Sequence, residues 1–433
     1  MRRSIDALRR TAAAEIVPRD HFDRPRHTQN IFLRTMIEGG RSGTDQADRW
    51  QNHEYGWTTM NAAVSRRRLL QMGAAGIVAS NVPAEAAAPP TSLATVAAAN
   101  GYLFGSAAAE VIDSDPAYRE LYVTQTKLIT TDVALKMGRI AALPGPKQFE
   151  TGDKLLAFCN SHGIAMRGHC LIWNEWVPAW IKVMSATERR AYFDAYIDEV
   201  VARYSGRLQS WDVVNEPFWP GHKAPGGFRL GPWYDAFGGT DYIRRAFERA
   251  AKVDGKTKLV LNEAQTERDD EVGLAVRRGL LQLVTDLKHA GVKLDVVGLQ
   301  GHLQPQYPHD PARFNDFLHE LAALGVDIYI TEFDVCDDVF PQDIKARDEA
   351  VAKTARQFLQ TTLSHPAVKA LITWELADKY TFYKGLAQQK DPTTTRLPRP
   401  LPYDEQLQRK PMWYAIAESF EGAPRPATSG QAR

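Results

Sequence analysis

Ala290-Gly291-Val292-Lys293-Leu294-Asp295-Val296-Val297 reads as the end of a helix, a glycine, and the start of a buried strand. Glycine just past a helix adopts the left-handed conformation at little cost, so the chain can turn at once. The same punctuation recurs at His162-Gly163-Ile164-Ala165-Met166 and at Leu324-Gly325-Val326-Asp327-Ile328. Eight strand candidates follow from this rhythm. They centre near Leu103-Phe104, Leu128-Ile129, Ala165 to Ile172, Trp211 to Val214, Leu259 to Leu261, Val296 to Leu299, Ile328 to Ile330, and Ala370 to Trp374. Strands that alternate with helices argue for parallel βα units. Eight units over roughly 330 residues predict an α/β protein, a single-domain (β/α)8 TIM barrel. The competitor is a doubly wound open sheet. It should carry a Gly-rich phosphate turn after an early strand, and Gly101-Tyr102-Leu103-Phe104-Gly105-Ser106 is not one.

Helix signals agree with this reading. Ser185 and Glu188 form a capping box ahead of Phe193, Tyr196, Ile197, Val200, Val201 and Tyr204, which trace one helical face. Asp310 caps the next clear helix, Pro311 takes its first position, and Phe314, Phe317, Leu318 and Leu321 face inward.

The 433 residues are 44% hydrophobic and 24% charged, an ordinary soluble composition with enough length for one large core or two smaller ones. A formal net charge of +1 leaves no global pull towards nucleic acid or anionic lipid, and neither is expected as a partner. The histidines do not recur at metal-ligand spacing, so no metal and no cofactor is expected. Cys159, Cys170 and Cys336 cannot make a full disulfide framework and read as buried thiols, with one pair open to oxidation after export. Residues 1–59 are polar, Arg-rich and without a sustained apolar period, and read as a disordered upstream extension. Residues 60–88 read as an export signal. Ser65-Arg66-Arg67-Arg68-Leu69-Leu70 is the basic head, Met72 to Ala79 the short apolar stretch, and Ala84-Glu85-Ala86 the cleavage site. The paired arginines resemble a twin-arginine signal, which places the mature protein in the periplasm or outside the cell. Met60 is the expected true start. The catalytic domain is expected over 90–421 and a disordered tail over 422–433, with no membrane anchor after processing and a monomeric state.

Two of the eight strands end in glutamate. Glu216 closes Trp211-Asp212-Val213-Val214-Asn215-Glu216-Pro217, and Glu332 closes Asp327-Ile328-Tyr329-Ile330-Thr331-Glu332-Phe333-Asp334. In a parallel barrel all strand ends meet on one face, where active sites sit. Other ends carry Arg167-Gly168-His169 with Trp173, Gln300-Gly301-His302, and Trp374 through Asp378-Lys379. Two rigidly held carboxyls are what sugar-bond hydrolysis needs, an acid and a nucleophile on opposite sides of one bond.

These stretches resemble, in order and spacing, the motifs of family 10 glycoside hydrolases, the retaining endo-1,4-β-xylanases, over about residues 95–420. The resemblance implies double displacement on β-1,4-linked xylan or xylo-oligosaccharides, with Glu216 as acid/base and Glu332 as nucleophile. Carboxyl groups about 5–5.5 Å apart are expected for this outcome. It further implies that His302 and Asp334 hold the nucleophile, that Lys136, His169, Trp173 and Gln300 surround the sugar at the cleavage site, and that Trp374 forms its floor. Asn215, beside the acid, is suited to hydrogen-bond the sugar 2-OH.

The chain departs from the family pattern on the glycone side. Typical members carry Pro-Glu-Asn-Glu-Met-Lys-Trp in the second strand, where this chain has Thr131-Asp132-Val133-Ala134-Leu135-Lys136-Met137. Asp132 is one methylene shorter than Glu, and Val133 cannot hydrogen-bond through its side chain. Asn174-Glu175-Trp176 stands where His-Ser-Gln is common, and Phe382 where a second Trp is usual. Asp132, Trp176 and Phe382 are therefore expected to bind substrate differently, with a weakened second glycone subsite. Two alternatives stay open: a β-1,4-glucanase or cellobiohydrolase-like enzyme of the same fold, and a non-catalytic carbohydrate-binding barrel.

Overall fold

The computed structural model describes residues 92–426. The expected upstream extension and export signal, 1–59 and 60–88, lie outside the described residues, as do 427–433 of the expected tail. The strands are β1 (Leu103–Ala107), β2 (Leu128–Thr130), β3 (Ala165–Gly168), β4 (Ser210–Asn215), β5 (Lys258–Glu263), β6 (Val296–Leu299), β7 (His302–Leu303), β8 (Asp327–Val335) and β9 (Val368–Thr373). Their order is β6-β5-β4-β3-β2-β1-β9-β8-β7, and a further β6–β8 pairing closes the sheet on itself. All pairings are parallel. The result is the expected eight-stranded barrel. The two-residue β7 extends the line of β6 past Gly301 and sets His302 opposite Asp334.

The helices wrap the barrel for the reasons their sequences suggest. Ser185 Oγ accepts the Glu188 N–H at 3.3 Å, and the Glu188 carboxylate accepts the Ser185 N–H at 2.9 Å. The helix Ala186–Tyr204 that follows buries all six residues of the anticipated face. Pro311–Ala323 starts at Asp310, whose carboxylate accepts two backbone N–H groups, and buries Phe314, Phe317, Leu318 and Leu321. Gly291 has φ +70° after the helix Glu271–His289, so the chain reverses without a Cβ clash.

Inside the barrel, Leu128, Val260, Val296, Tyr329, Ala370 and Ile372 form a separate apolar cluster. Leu128 and Val296 open their strands and Val260, Tyr329 and Ala370 are third in theirs, so most of this plug lies below the C-terminal ends, which are left for polar groups. The third strand is shorter than expected and stops at Gly168 rather than reaching Ile172. There the His169 N–H turns to the side chain of Thr131 at 2.9 Å, while Leu171 and Ile172 donate onward to the carbonyls of Asp212 and Val213. A Cβ on Gly168 would come within 2.3 Å of the Trp211 ring, so the indole packs where only glycine leaves room.

Cys159, Cys170 and Cys336 are buried free thiols. After the last helix, Pro411–Glu421, the chain still packs against the body, with Tyr102 Oη 2.7 Å from the Pro424 carbonyl. Among the described residues, no helix is long and apolar enough to cross a membrane.

Candidate active site

Glu216 follows directly on β4. Its φ of +49° lies in the left-handed region, uncommon for a residue with a side chain, and turns it out of the strand. Hydrogen bonds hold it there. Its N–H donates to the Asn262 carbonyl at 2.8 Å. Its own carbonyl accepts from Arg229 Nε at 2.8 Å. Its carboxyl takes Gln300 Nε2 at Oε1 and Arg229 Nη2 at Oε2, both at 2.9 Å. Burial pushes the Glu216 carboxyl up to about 7, against the pull of Arg229 and Gln300, with Glu175 and Glu332 adding to the rise.

Glu332 lies within β8 and has the opposite electrostatics. Its N–H donates to the Gln300 carbonyl at 2.8 Å. Oε1 accepts from Asn262 Nδ2 at 2.7 Å, and Oε2 lies 3.3 Å from His302 Nε2. Burial raises its proton affinity, but the His302 hydrogen bond and the electrostatic pull of His169, His302 and Lys136 outweigh it and bring the group down to about 2. The His302 imidazole is fixed on its other side by Asp334 Oδ2 at 2.8 Å, and Asp334 Oδ1 accepts from Tyr383 Oη at 2.9 Å. Burial works against a charge on His302, yet Asp334 and Glu332 hold it up to about 10, so it stays an imidazolium beside Glu332.

The other anticipated residues gather around this pair. Asn215 Oδ1 accepts from Asn262 Nδ2 at 2.8 Å, which leaves its amide N–H groups for a ligand. His169 Nδ1 lies 2.7 Å from Asp212 Oδ2, and its ring meets the Trp374 ring at 5.3 Å. Trp374 also lies 6.2 Å from His302, and Phe382 meets His302 edge-on at 5.6 Å. The Lys136 ammonium sits among three indoles, 5.3 Å from Trp173, 4.9 Å from Trp176 and 5.5 Å from Trp374. Asp132 Oδ1 is 4.0 Å from Lys136 Nζ. The anticipated residues thus join one continuous network, directly or through Asn262 and the Gln300 backbone.

Several members were not anticipated. Asn262, at the end of β5, touches both Asn215 and Glu332, and its Oδ1 accepts from Thr331 Oγ1 at 2.6 Å. The signal was present in Leu261-Asn262-Glu263, a polar pair ending an apolar strand like the others. Arg229, Glu175 and Tyr383 lie in loops or helix starts and carry no strand-end signature. Glu375 follows Trp374 with φ +78°, and its Oε2 accepts from Tyr118 Oη at 2.7 Å and Tyr122 Oη at 3.3 Å. Burial, reinforced by the nearby Asp132, pushes its carboxyl up to about 8.

One buried carboxyl is therefore held as an anion while its neighbour can keep a proton near neutral pH. Such a pair can attack an electrophilic carbon and protonate a leaving oxygen.

Comparison with known proteins agrees. The glycosyl hydrolase family 10 model matches residues 92–419. A beta-1,4-xylanase of Dictyoglomus thermophilum is 31% identical over 276 residues, 61% of this chain and 75% of that protein. Endo-1,4-beta-xylanase A of Phanerodontia chrysosporium is 29% identical over 336 residues, 76% of this chain and 77% of its own. Xylanase 10B from Thermotoga petrophila RKU-1, solved in complex with xylobiose, superposes with a TM-score of 0.69 at 26% identity, covering 77% of this chain and 98% of that one. On motif order, barrel topology and overall similarity alike, this chain belongs to glycosyl hydrolase family 10.

Proposed function

We propose that the protein is a retaining endo-1,4-β-xylanase that cleaves xylan or xylo-oligosaccharides by double displacement. The observation that carries this reading is the opposite bias of Glu216 and Glu332, one held up to about 7 and the other down to about 2, within one set of shared neighbours.

In the first half-reaction a Glu332 oxygen attacks the anomeric carbon as the glycosidic C–O bond breaks. The Glu216 proton passes to the leaving oxygen. In the second half-reaction water attacks the same carbon, gives a proton to Glu216 and frees the Glu332 carboxylate. While Glu332 is esterified its charge no longer opposes ionisation of Glu216, so the same group can act as base. His302, backed by Asp334, keeps Glu332 ionised and aimed. Gln300 orients Glu216. Asn215 offers its amide to the sugar 2-OH. Lys136, His169, Trp173, Trp176 and Trp374 form the wall of the sugar site, with Phe382 against His302 at its edge. Asp132 stands beside Lys136 on the glycone side. The segment over 60–88 supports export of this activity to the periplasm or medium.

Xylan is preferred because the named relatives are xylanases. Glucan differs by a hydroxymethyl group on C5, which needs extra clearance. Parallel kcat/KM values on aryl β-xylobioside and aryl β-cellobioside test the choice. A clear preference for the xylobioside is expected, and equal rates or a preference for the cellobioside would reverse the assignment. Glu332→Ala should abolish hydrolysis from a measurable starting rate, which would exclude the binding-barrel alternative, whereas persistence of turnover would remove Glu332 as the nucleophile.

A further inference from the structure

Arg229 presents a conflict. Its Nε hydrogen bond to the Glu216 carbonyl, at 2.8 Å, helps hold that residue at φ +49°. The same guanidinium lies 2.9 Å from Glu216 Oε2. A cation at that distance favours the ionised carboxylate, which would strip a general acid of its proton. Arg229 is buried, with 3% of its side chain exposed, and the Trp219 ring covers it at 5.1 Å, so water screens this charge little.

The third-strand loop supplies a second carboxylate to the same guanidinium. Glu175 pairs with Arg229 Nη1, and its side chain is itself only 12% exposed. Among the described residues, Glu175 and Glu216 are the ion-pair partners of Arg229. We infer that Glu175 is a positioning residue that acts on Glu216 through Arg229. It neutralises the guanidinium, so that Arg229 can hold the Glu216 backbone while Glu216 keeps its proton for the leaving oxygen. The inference rests on the reading of Glu216 as acid/base.

The other groups facing Glu216 do not substitute for Glu175. Gln300, after β6, donates to Oε1 and favours the charged form. Glu332, on β8, repels a second charge, but that repulsion vanishes once the sugar is bonded to it. Glu263, at the end of β5, is pushed well up by burial and by Glu216 itself, and accepts the Phe218 N–H at 3.0 Å. Unlike Glu332, Glu175 keeps its charge through both half-reactions, so its removal should bias every stage in one direction. Without Glu175, Arg229 acts on Glu216 undivided, and the acid loses its proton at lower pH.

The test is Glu175→Gln, with kcat/KM followed against pH on a linear xylo-oligosaccharide and on an aryl β-xylobioside with a good leaving group. The oligosaccharide needs protonation of its leaving oxygen, and the aryl substrate needs little. The upper pH limb on the oligosaccharide is expected to move down by about one unit, which is a roughly tenfold loss above neutrality. The ratio of oligosaccharide to aryl rate should fall with it. Glu175→Asp, which keeps the charge but draws it back by one methylene, should move the limb less, and it serves alone if the Gln variant does not fold. An unmoved limb in either folded variant, or an equal loss on both substrates at every pH, overturns the inference. If Glu216→Gln leaves the oligosaccharide rate intact, the acid/base reading itself falls, and the inference with it.

Discussion

Asn262 Nδ2 lies 2.7 Å from Glu332 Oε1, while the Asn262 backbone carbonyl accepts the N–H of Glu216 at 2.8 Å. One residue on β5 thus touches both glutamates, one by side chain and the other by backbone. Gln300 does the reverse, holding Glu216 by its side-chain amide and Glu332 by its backbone carbonyl. The relative placement of the two carboxyls is therefore set by two intervening strand ends, not by direct touch between the carboxyls.

Asn262→Ala removes a donor from Glu332 and from Asn215 together while leaving the backbone link to Glu216. A hydrogen bond to a charged group is worth about 1.5–3 kcal/mol. We expect kcat/KM to fall roughly 10- to 150-fold, and the melting temperature to drop as well, because the buried Thr331 Oγ1 also loses its acceptor. A variant with wild-type kcat/KM on xylo-oligosaccharides would remove Asn262 from the site.

The two glutamates should separate by leaving group. Glu332→Ala should lower kcat by on the order of 10⁴-fold or more on every substrate. Glu216→Ala should cost about 10²–10⁴-fold on xylo-oligosaccharides and far less on activated aryl glycosides. Equal losses across leaving groups in the Glu216 variant would contradict its role.

The pH profile of kcat/KM follows from the signs. Glu216 must be protonated, so activity is lost as pH rises through about 7. Glu332 must be ionised, so its contribution is lost only as pH falls through about 2. A plateau on the acid side of neutrality with a falling upper limb is expected, bounded at low pH by unfolding if that comes first. A profile flat to pH 9 would show that Glu216 does not supply the proton.

On the glycone side, Asp132 and Val133 should weaken the second subsite. Each hydrogen bond that these shorter or apolar side chains fail to make is worth ~1–3 kcal/mol of binding. Linear xylo-oligosaccharides should therefore be cut poorly two or more units from the non-reducing end, and the double change Asp132→Glu with Val133→Asn should improve this. Product analysis that finds such cleavage as efficient as in ordinary family members would refute it.

Gly168→Ala tests the packing beneath the site. The new Cβ would meet the Trp211 ring at 2.3 Å, and neither group can shift without moving β3 or β4. Overpacking of this kind costs about 1–3 kcal/mol. A lowered midpoint in thermal or urea unfolding is expected, and an unchanged midpoint would mean that the indole can relocate.

The barrel was legible because its signals are local. The glycine at 291, the capping box at Ser185 and Glu188, and the apolar face from Phe193 to Tyr204 each act within a few residues of chain. The strand-end glutamates were legible for the same reason, since a polar residue closing an apolar strand is visible in a short window. The third strand was read too long because an apolar run does not reveal that the His169 N–H leaves the ladder for Thr131.

Residue types at strand ends and the helix–glycine–strand rhythm, then, were determined by the sequence alone, because they depend on backbone geometry and side-chain polarity over a few positions. Which neighbours tune the two glutamates was decided only in three dimensions. Asn262 meets Glu332 across 70 residues of chain, and Tyr118 meets Glu375 across 257. Arg229 and Glu175 come together from two different loops. Proton affinity depends on burial and on charges a few ångströms away, and closure of the barrel, not proximity along the chain, brings those charges to Glu216 and Glu332.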